Sequence, residues 1–142
     1  MAELGKLIAE ARSIDVGQAS WLLEASTLSR AICETVLSDP TELASVQHAV
    51  KKTAEQAGCD WIVGASPAAD RVVRELNLPS GQEPSRALLF ELVRVTGATF
   101  ARAQQELLHV DVVPAVFVDV NPSSRPGAVL EVGGVGPQSL GS

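Results

Sequence analysis

The residues best suited to chemistry lie in two short turns, each set between an apolar run and a helical pattern. The first is Gly64-Ala65-Ser66-Pro67, which closes the run Trp61-Ile62-Val63. The second is Thr96-Gly97-Ala98-Thr99, which follows the apolar stretch from Leu88 to Val95. Gly97 would let backbone N–H groups approach an anion closely, and a helix starting there would aim its dipole and the hydroxyls of Thr96 and Thr99 at the same point. The expected chemistry is binding of a phosphate or carboxylate at Thr96, Gly97, Ala98 and Thr99. Glu91, Arg94 and the turn residues Gly64, Ala65 and Ser66 would complete the pocket. The same tetrapeptide also suits a plain helix cap without a ligand, and Arg94 would either reach a phosphate or point to solvent.

The remaining reactive side chains offer less. Ser66 stands between strand and helix, as a nucleophile elbow does, but Pro67 has no N–H to give an oxyanion, so Ser66 reads as the cap of a helix starting at Pro67. His48 and His109 are the two histidines, and neither has metal-ligand spacing to a Cys or another His. His109 is expected to cap a helix C-terminus and His48 to lie on a solvated face. Cys33 and Cys59 form no C-x-x-C pair, sit in apolar surroundings and are expected to be buried free thiols. No catalytic residue and no metal site is assigned.

The elements that must position these turns follow from periodicity. Leu4, Leu7, Ile8 and Ala11 recur at helical spacing. Trp21-Leu22-Leu23 reads as a short strand, and Leu28, Ile32 and Val36 as a helix after it. Asp39-Pro40-Thr41-Glu42 is a helix start with Pro at the first position, and Gly58 suits the left-handed cap at the end of that helix. Strands are expected at Trp61 to Val63, Ala87 to Val93 and Val110 to Val120, with helices from Ala68 to Leu76 and after Thr96, the latter burying Phe100, Ala103, Leu107 and Leu108. Strands alternating with helices call for an open parallel sheet flanked by helices, an α/β fold with right-handed crossovers. Ligands collect at the carboxyl ends of such strands, where both turns lie.

The order of these motifs resembles the type I phosphoribosyltransferase family, orotate phosphoribosyltransferase in particular. Cys59 to Ala69 looks like that family's pyrophosphate-loop region. Leu88-Leu89-Phe90-Glu91-Leu92-Val93-Arg94-Val95-Thr96-Gly97-Ala98-Thr99 resembles its second signature, an apolar strand, two acids and a loop that holds the 5′-phosphate of phosphoribosyl pyrophosphate. The likeness spans roughly Val16 to Val120 and implies a phosphoribosyltransferase-like fold with hood and flexible hairpin reduced. Departures accompany it: Leu92 replaces the second acid, and Asn77 to Arg86 is too short for the family's basic hairpin. These argue against ordinary phosphoribosyl transfer, which needs positioned charge on the leaving pyrophosphate. Magnesium is implied only together with phosphoribosyl pyrophosphate, and no other cofactor is expected.

Composition narrows the partners. A chain of 142 residues with 46% hydrophobic content is the size of one α/β domain, expected over 1–127, with an edge strand and flexible tail over 128–142. A net charge of −6 and no basic stripe disfavour nucleic acid. No apolar run nears the ~20 residues of a membrane span, and Met1 to Lys6 lacks the regions of a signal peptide, so a cytoplasmic protein is expected. Two functions compete: a domain binding a phosphorylated small molecule, a nucleotide or sugar phosphate among the possibilities, or a catalytically inactive interaction or regulatory module. A homodimer fits both, with Leu4, Leu7, Ile8, Trp21, Leu22 and Leu23 as the apolar surface.

Overall fold

The computed structural model describes residues 2–76, 85–96, 98–107, 109–120 and 130–131. Its elements are helices α1 (Ala2–Arg12), α2 (Trp21–Ser38) and α3 (Pro40–Gln56), then β1 (Trp61–Gly64), α4 (Pro67–Val73), β2 (Arg86–Arg94), α5 (Ala98–Glu106), β3 (Asp111–Asp119) and β4 (Leu130–Glu131). Gly97, Leu108, the break from Asn77 to Pro84, the loop from Asn121 to Gly127 and the tail expected beyond Glu131 lie outside the described residues.

Local signals account for the helix ends. Asp39 accepts hydrogen bonds from the N–H groups of Thr41 (2.9 Å) and Glu42 (3.4 Å) at the start of α3. Gly58, at φ +72°, reverses the chain after that helix, a conformation Gly adopts without strain. Trp21-Leu22-Leu23 is not a strand but the first turn of α2. Trp21 opens the series Trp21, Ala25, Leu28, Ile32, Val36, which keeps helical spacing throughout and packs into the core. That longer period outweighs three adjacent apolar residues, and Leu22 and Leu23 are left outside, 48% and 72% exposed.

The sheet is parallel in the order β1-β2-β3-β4. Central β2 is buried from Ala87 to Val93, and its alternating side chains serve two cores. Leu88, Phe90 and Leu92 join Ile62, Ala115 and Phe117 under α1 to α4. Leu89 and Val116 meet Phe100 and Leu107, so α5 covers the other face, with Trp61, Val63 and Ala103 at the margin. Burying Phe100 there contributes about 2–3 kcal/mol.

One expectation is corrected by this arrangement. The strands advance in one direction, β1 to β2 to β3, yet α4 and α5 lie on opposite faces. Two such crossovers necessarily have opposite hands, so they are not both right-handed. The consequence for function is direct: the chain leaves adjacent strands toward opposite faces, which opens a crevice at their carboxyl ends.

At the amino ends of the strands, polar contacts hold the register. Asp60 accepts from the Ser85 N–H (3.1 Å), the Ser85 hydroxyl (3.0 Å) and the Arg86 N–H (3.0 Å), and Arg86 pairs with Asp111 at 3.3 Å. These donors hold the Asp60 carboxyl below the usual carboxylate range, the Arg86 N–H foremost. Among the described residues no helix is long and apolar enough to cross a membrane.

Candidate functional site

The crevice is a cavity of about 320 Å³ at the carboxyl edge of β1 and β2. Ser29 and Cys33 of α2 line one side, Ser66, Pro67 and Ala68 another, and Thr96, Thr99 and Phe100 the side toward α5. Glu91, Val93, Arg94 and Val95 line it from β2 and the residue that follows. The two turns singled out by sequence therefore do meet at one place.

Ser66 is fixed by two tasks. As cap of α4 its Oγ accepts the Ala69 N–H at 3.2 Å, and Pro67 occupies the first helical position. The same hydroxyl donates to Glu91 Oε1 at 2.7 Å. Its proton is thus committed to a carboxylate, and the next residue offers no N–H, so Ser66 positions Glu91 rather than acting as a nucleophile.

Gly64 has a packing role. A Cβ there would lie 2.3 Å from the Asp70 backbone nitrogen and 2.5 Å from its Cα. Only hydrogen lets the end of β1 approach α4 this closely, which brings Ser66 within reach of β2. Ala65 is half-buried and joins β1 to the cap, its N–H donating to the Phe90 carbonyl at 2.8 Å.

Glu91 is the buried charge of the site, 6% exposed. Burial raises its carboxyl above the ordinary range, and hydrogen bonds from Ser66 and from the Leu92 N–H (2.9 Å) oppose the rise without cancelling it. Leu92 itself is fully buried in the core, so Glu91 is followed by a packing residue. Sharing the cavity lining with Glu91, Cys33 has its thiol pushed up to about 11 by burial, then by the Glu91 charge, with a Ser29 hydrogen bond pulling the other way. A thiol this protonated is a poor nucleophile at neutral pH. Cys33 and Cys59 are free and only half-buried, less enclosed than expected.

No protein-family model, curated protein or solved structure matches the chain.

Arg94 does not point to solvent: its side chain is 12% exposed and lines the cavity. Its Nε and Nη2 donate to Asp119 Oδ1 (3.0 Å) and Oδ2 (2.5 Å), and its guanidinium lies 5.9 Å from the Phe100 ring centroid. Among the described residues it is the one basic side chain lining the cavity, and its charge is balanced by Asp119. Asp119 and Ser29 escaped sequence reasoning, and Cys33 reads there only as a buried thiol, not as part of a site. Asp119 carried a signal, an acid ending an apolar run parallel to one that ends in Arg94; the helix residues carried none.

Thr96, Ala98 and Thr99 are exposed at the start of α5, and the Thr96 hydroxyl accepts the Ala98 N–H at 3.3 Å. Hydroxyls and a helix end thus meet there, and among the described residues no other basic side chain than Arg94 lines the cavity. His48 and His109 are exposed and outside the cavity lining, His109 just beyond α5 at the opposite edge. Among the described residues no three His, Cys, Asp or Glu side chains gather to hold a metal ion.

Proposed function

We propose that this chain is a phosphoribosyltransferase-like domain that binds a phosphorylated or otherwise anionic small molecule in the crevice between β1 and β2, without ordinary phosphoribosyl transfer. The supporting observation is the divergence of α4 and α5 from adjacent strands, with the exposed hydroxyls of Thr96 and Thr99 at the mouth of the resulting cavity. Helix end and hydroxyls supply the anion's hydrogen bonds. Transfer needs more: a pair of acids on a sugar and free cations on the leaving group. Leu92 is core, and Arg94 is committed to Asp119. Calorimetry with phosphoribosyl pyrophosphate, nucleoside monophosphates and inorganic phosphate tests the reading. Binding that Thr99→Glu abolishes supports it; no binding by any of the three refutes it.

A second reading, an interaction or regulatory module assembling as a homodimer, rests on Leu22 and Leu23. They stand exposed on the first turn of α2, while Leu4 and Ile8 are buried in the chain's own core and Leu7 and Trp21 pack against it. Among the described residues, the large apolar side chains left exposed for a second copy are therefore those of this one turn. Light scattering on wild type and Leu23→Glu decides: a dimer that the substitution dissolves supports it, and a monomer at high concentration refutes it.

A further inference from the structure

One cavity holds both the helix end that would receive an anion and a deeply buried carboxylate, and these oppose each other unless a proton intervenes. Glu91 lines the cavity with Thr96 and Thr99. Its hydrogen bonds from Ser66 and from the Leu92 N–H both fall on Oε1. Oε2 accepts none from any described residue, in a side chain 6% exposed. An ionised carboxylate so placed is costly, and an arriving anion adds repulsion at short range.

Among the described residues, no cation without a carboxylate partner lines the cavity to relieve that repulsion. Arg94 is bound to Asp119. From α2, Cys33 shares the cavity lining with Glu91, Glu34 next to it adds negative charge, and Arg30, next to Ser29, is exposed and outside the lining. Residues 61–64 of β1 contain no titratable side chain. The charged residues of α4 (Asp70 and Arg71) and α5 (Arg102 and Glu106), with Arg74 following α4, are exposed, and none lines the cavity.

We propose, on the anion-binding reading above, that Glu91 is the proton-carrying donor of the site. The anion enters together with one proton from solvent, which bonds to Oε2; the new O–H then donates to the anion while Oε1 keeps Ser66 and Leu92. One O–H bond forms, the carboxyl passes from −1 to neutral, and nothing else is transferred. A neutral carboxyl held in an apolar setting is a strong donor to an oxyanion. Burial acts in the same direction before any ligand arrives.

Sulfate is the probe, because its charge is constant from about pH 5 to about pH 8, a range above the ordinary carboxylate pKa. On the whole chain, sulfate affinity should fall about tenfold per pH unit above the Glu91 pKa. Above the Glu91 pKa, where the free carboxyl is ionised, calorimetry in two buffers of different ionisation enthalpy should show uptake of one proton per sulfate. Glu91→Gln, which keeps a donor but cannot ionise, should bind with flat affinity and no uptake, and the uptake should persist in a His48→Gln/His109→Gln chain. Sulfate bound by wild type with no proton uptake at any pH of that range, and with affinity independent of pH, overturns the proposal and leaves the anion site standing. No sulfate bound at any pH by wild type or Glu91→Gln overturns the anion reading with it. The wild-type uptake decides even if Glu91→Gln does not fold.

Discussion

Arg94 and Asp119 are register partners at the carboxyl ends of neighbouring parallel strands, and their side chains close into a two-bond ion pair, 12% and 5% exposed. Removing one partner strands the other charge in a dry setting, which costs far more than the pair is worth. Asp119→Leu should lower unfolding stability by about 3–5 kcal/mol in urea titrations, and Arg94→Met/Asp119→Leu should recover most of it. Equal losses in the single and double variants would refute this account of the pair.

Gly64 is predicted to tolerate no side chain. A methyl group there meets backbone atoms of α4, which cannot rotate away as a side-chain tip could. Gly64→Ala should cost about 1–3 kcal/mol or more, seen as a lower urea midpoint with unchanged slope.

Ser66→Ala removes a helix cap and a donor to Glu91 in one step. The stability loss should be about 1–2 kcal/mol. The carboxyl of Glu91, deprived of a bond that favours its charged form, should titrate higher still, as followed by carbon-13 NMR of the side chain.

Glu91 also sets a pH dependence in the free protein. Its folded pKa lies above the unfolded value, so the folded state holds the proton more tightly. Its contribution is fully present below the unfolded pKa and is lost as pH rises through the folded one. The stability of wild type relative to Glu91→Gln should therefore decline with pH across that window and level off above it, a trend that thermal unfolding at several pH values will show.

Asp60 works with the opposite sign. Hydrogen bonds from Arg86 and Ser85 hold its pKa below the unfolded value. The stability it adds is present above the unfolded pKa and lost as pH falls through the folded one. Asp60→Asn should have a lower Tm than wild type at neutral pH, with the gap closing in acid.

The sequence by itself determined the features set by neighbours along the chain. Asp39, Pro40, Ser66 and Pro67 act within one helical turn, so their caps were legible, and the apolar runs of β1, β2 and β3 announced a parallel sheet. The two turns that meet at the cavity were legible for the same reason. Trp21 to Leu23 misled because three residues cannot distinguish a strand from the first turn of a longer helical stripe. Tertiary structure alone decided the rest, because it depends on which face each helix covers and which strands are neighbours. Placing α4 and α5 on opposite faces made the crevice, pairing β2 with β3 gave Arg94 to Asp119, and packing α2 against β2 put Cys33 in the same cavity lining as Glu91. A local pattern records how one segment hides its own apolar side; the partner of a buried charge, like Arg94 or Glu91, is fixed only when distant segments share the same dry space.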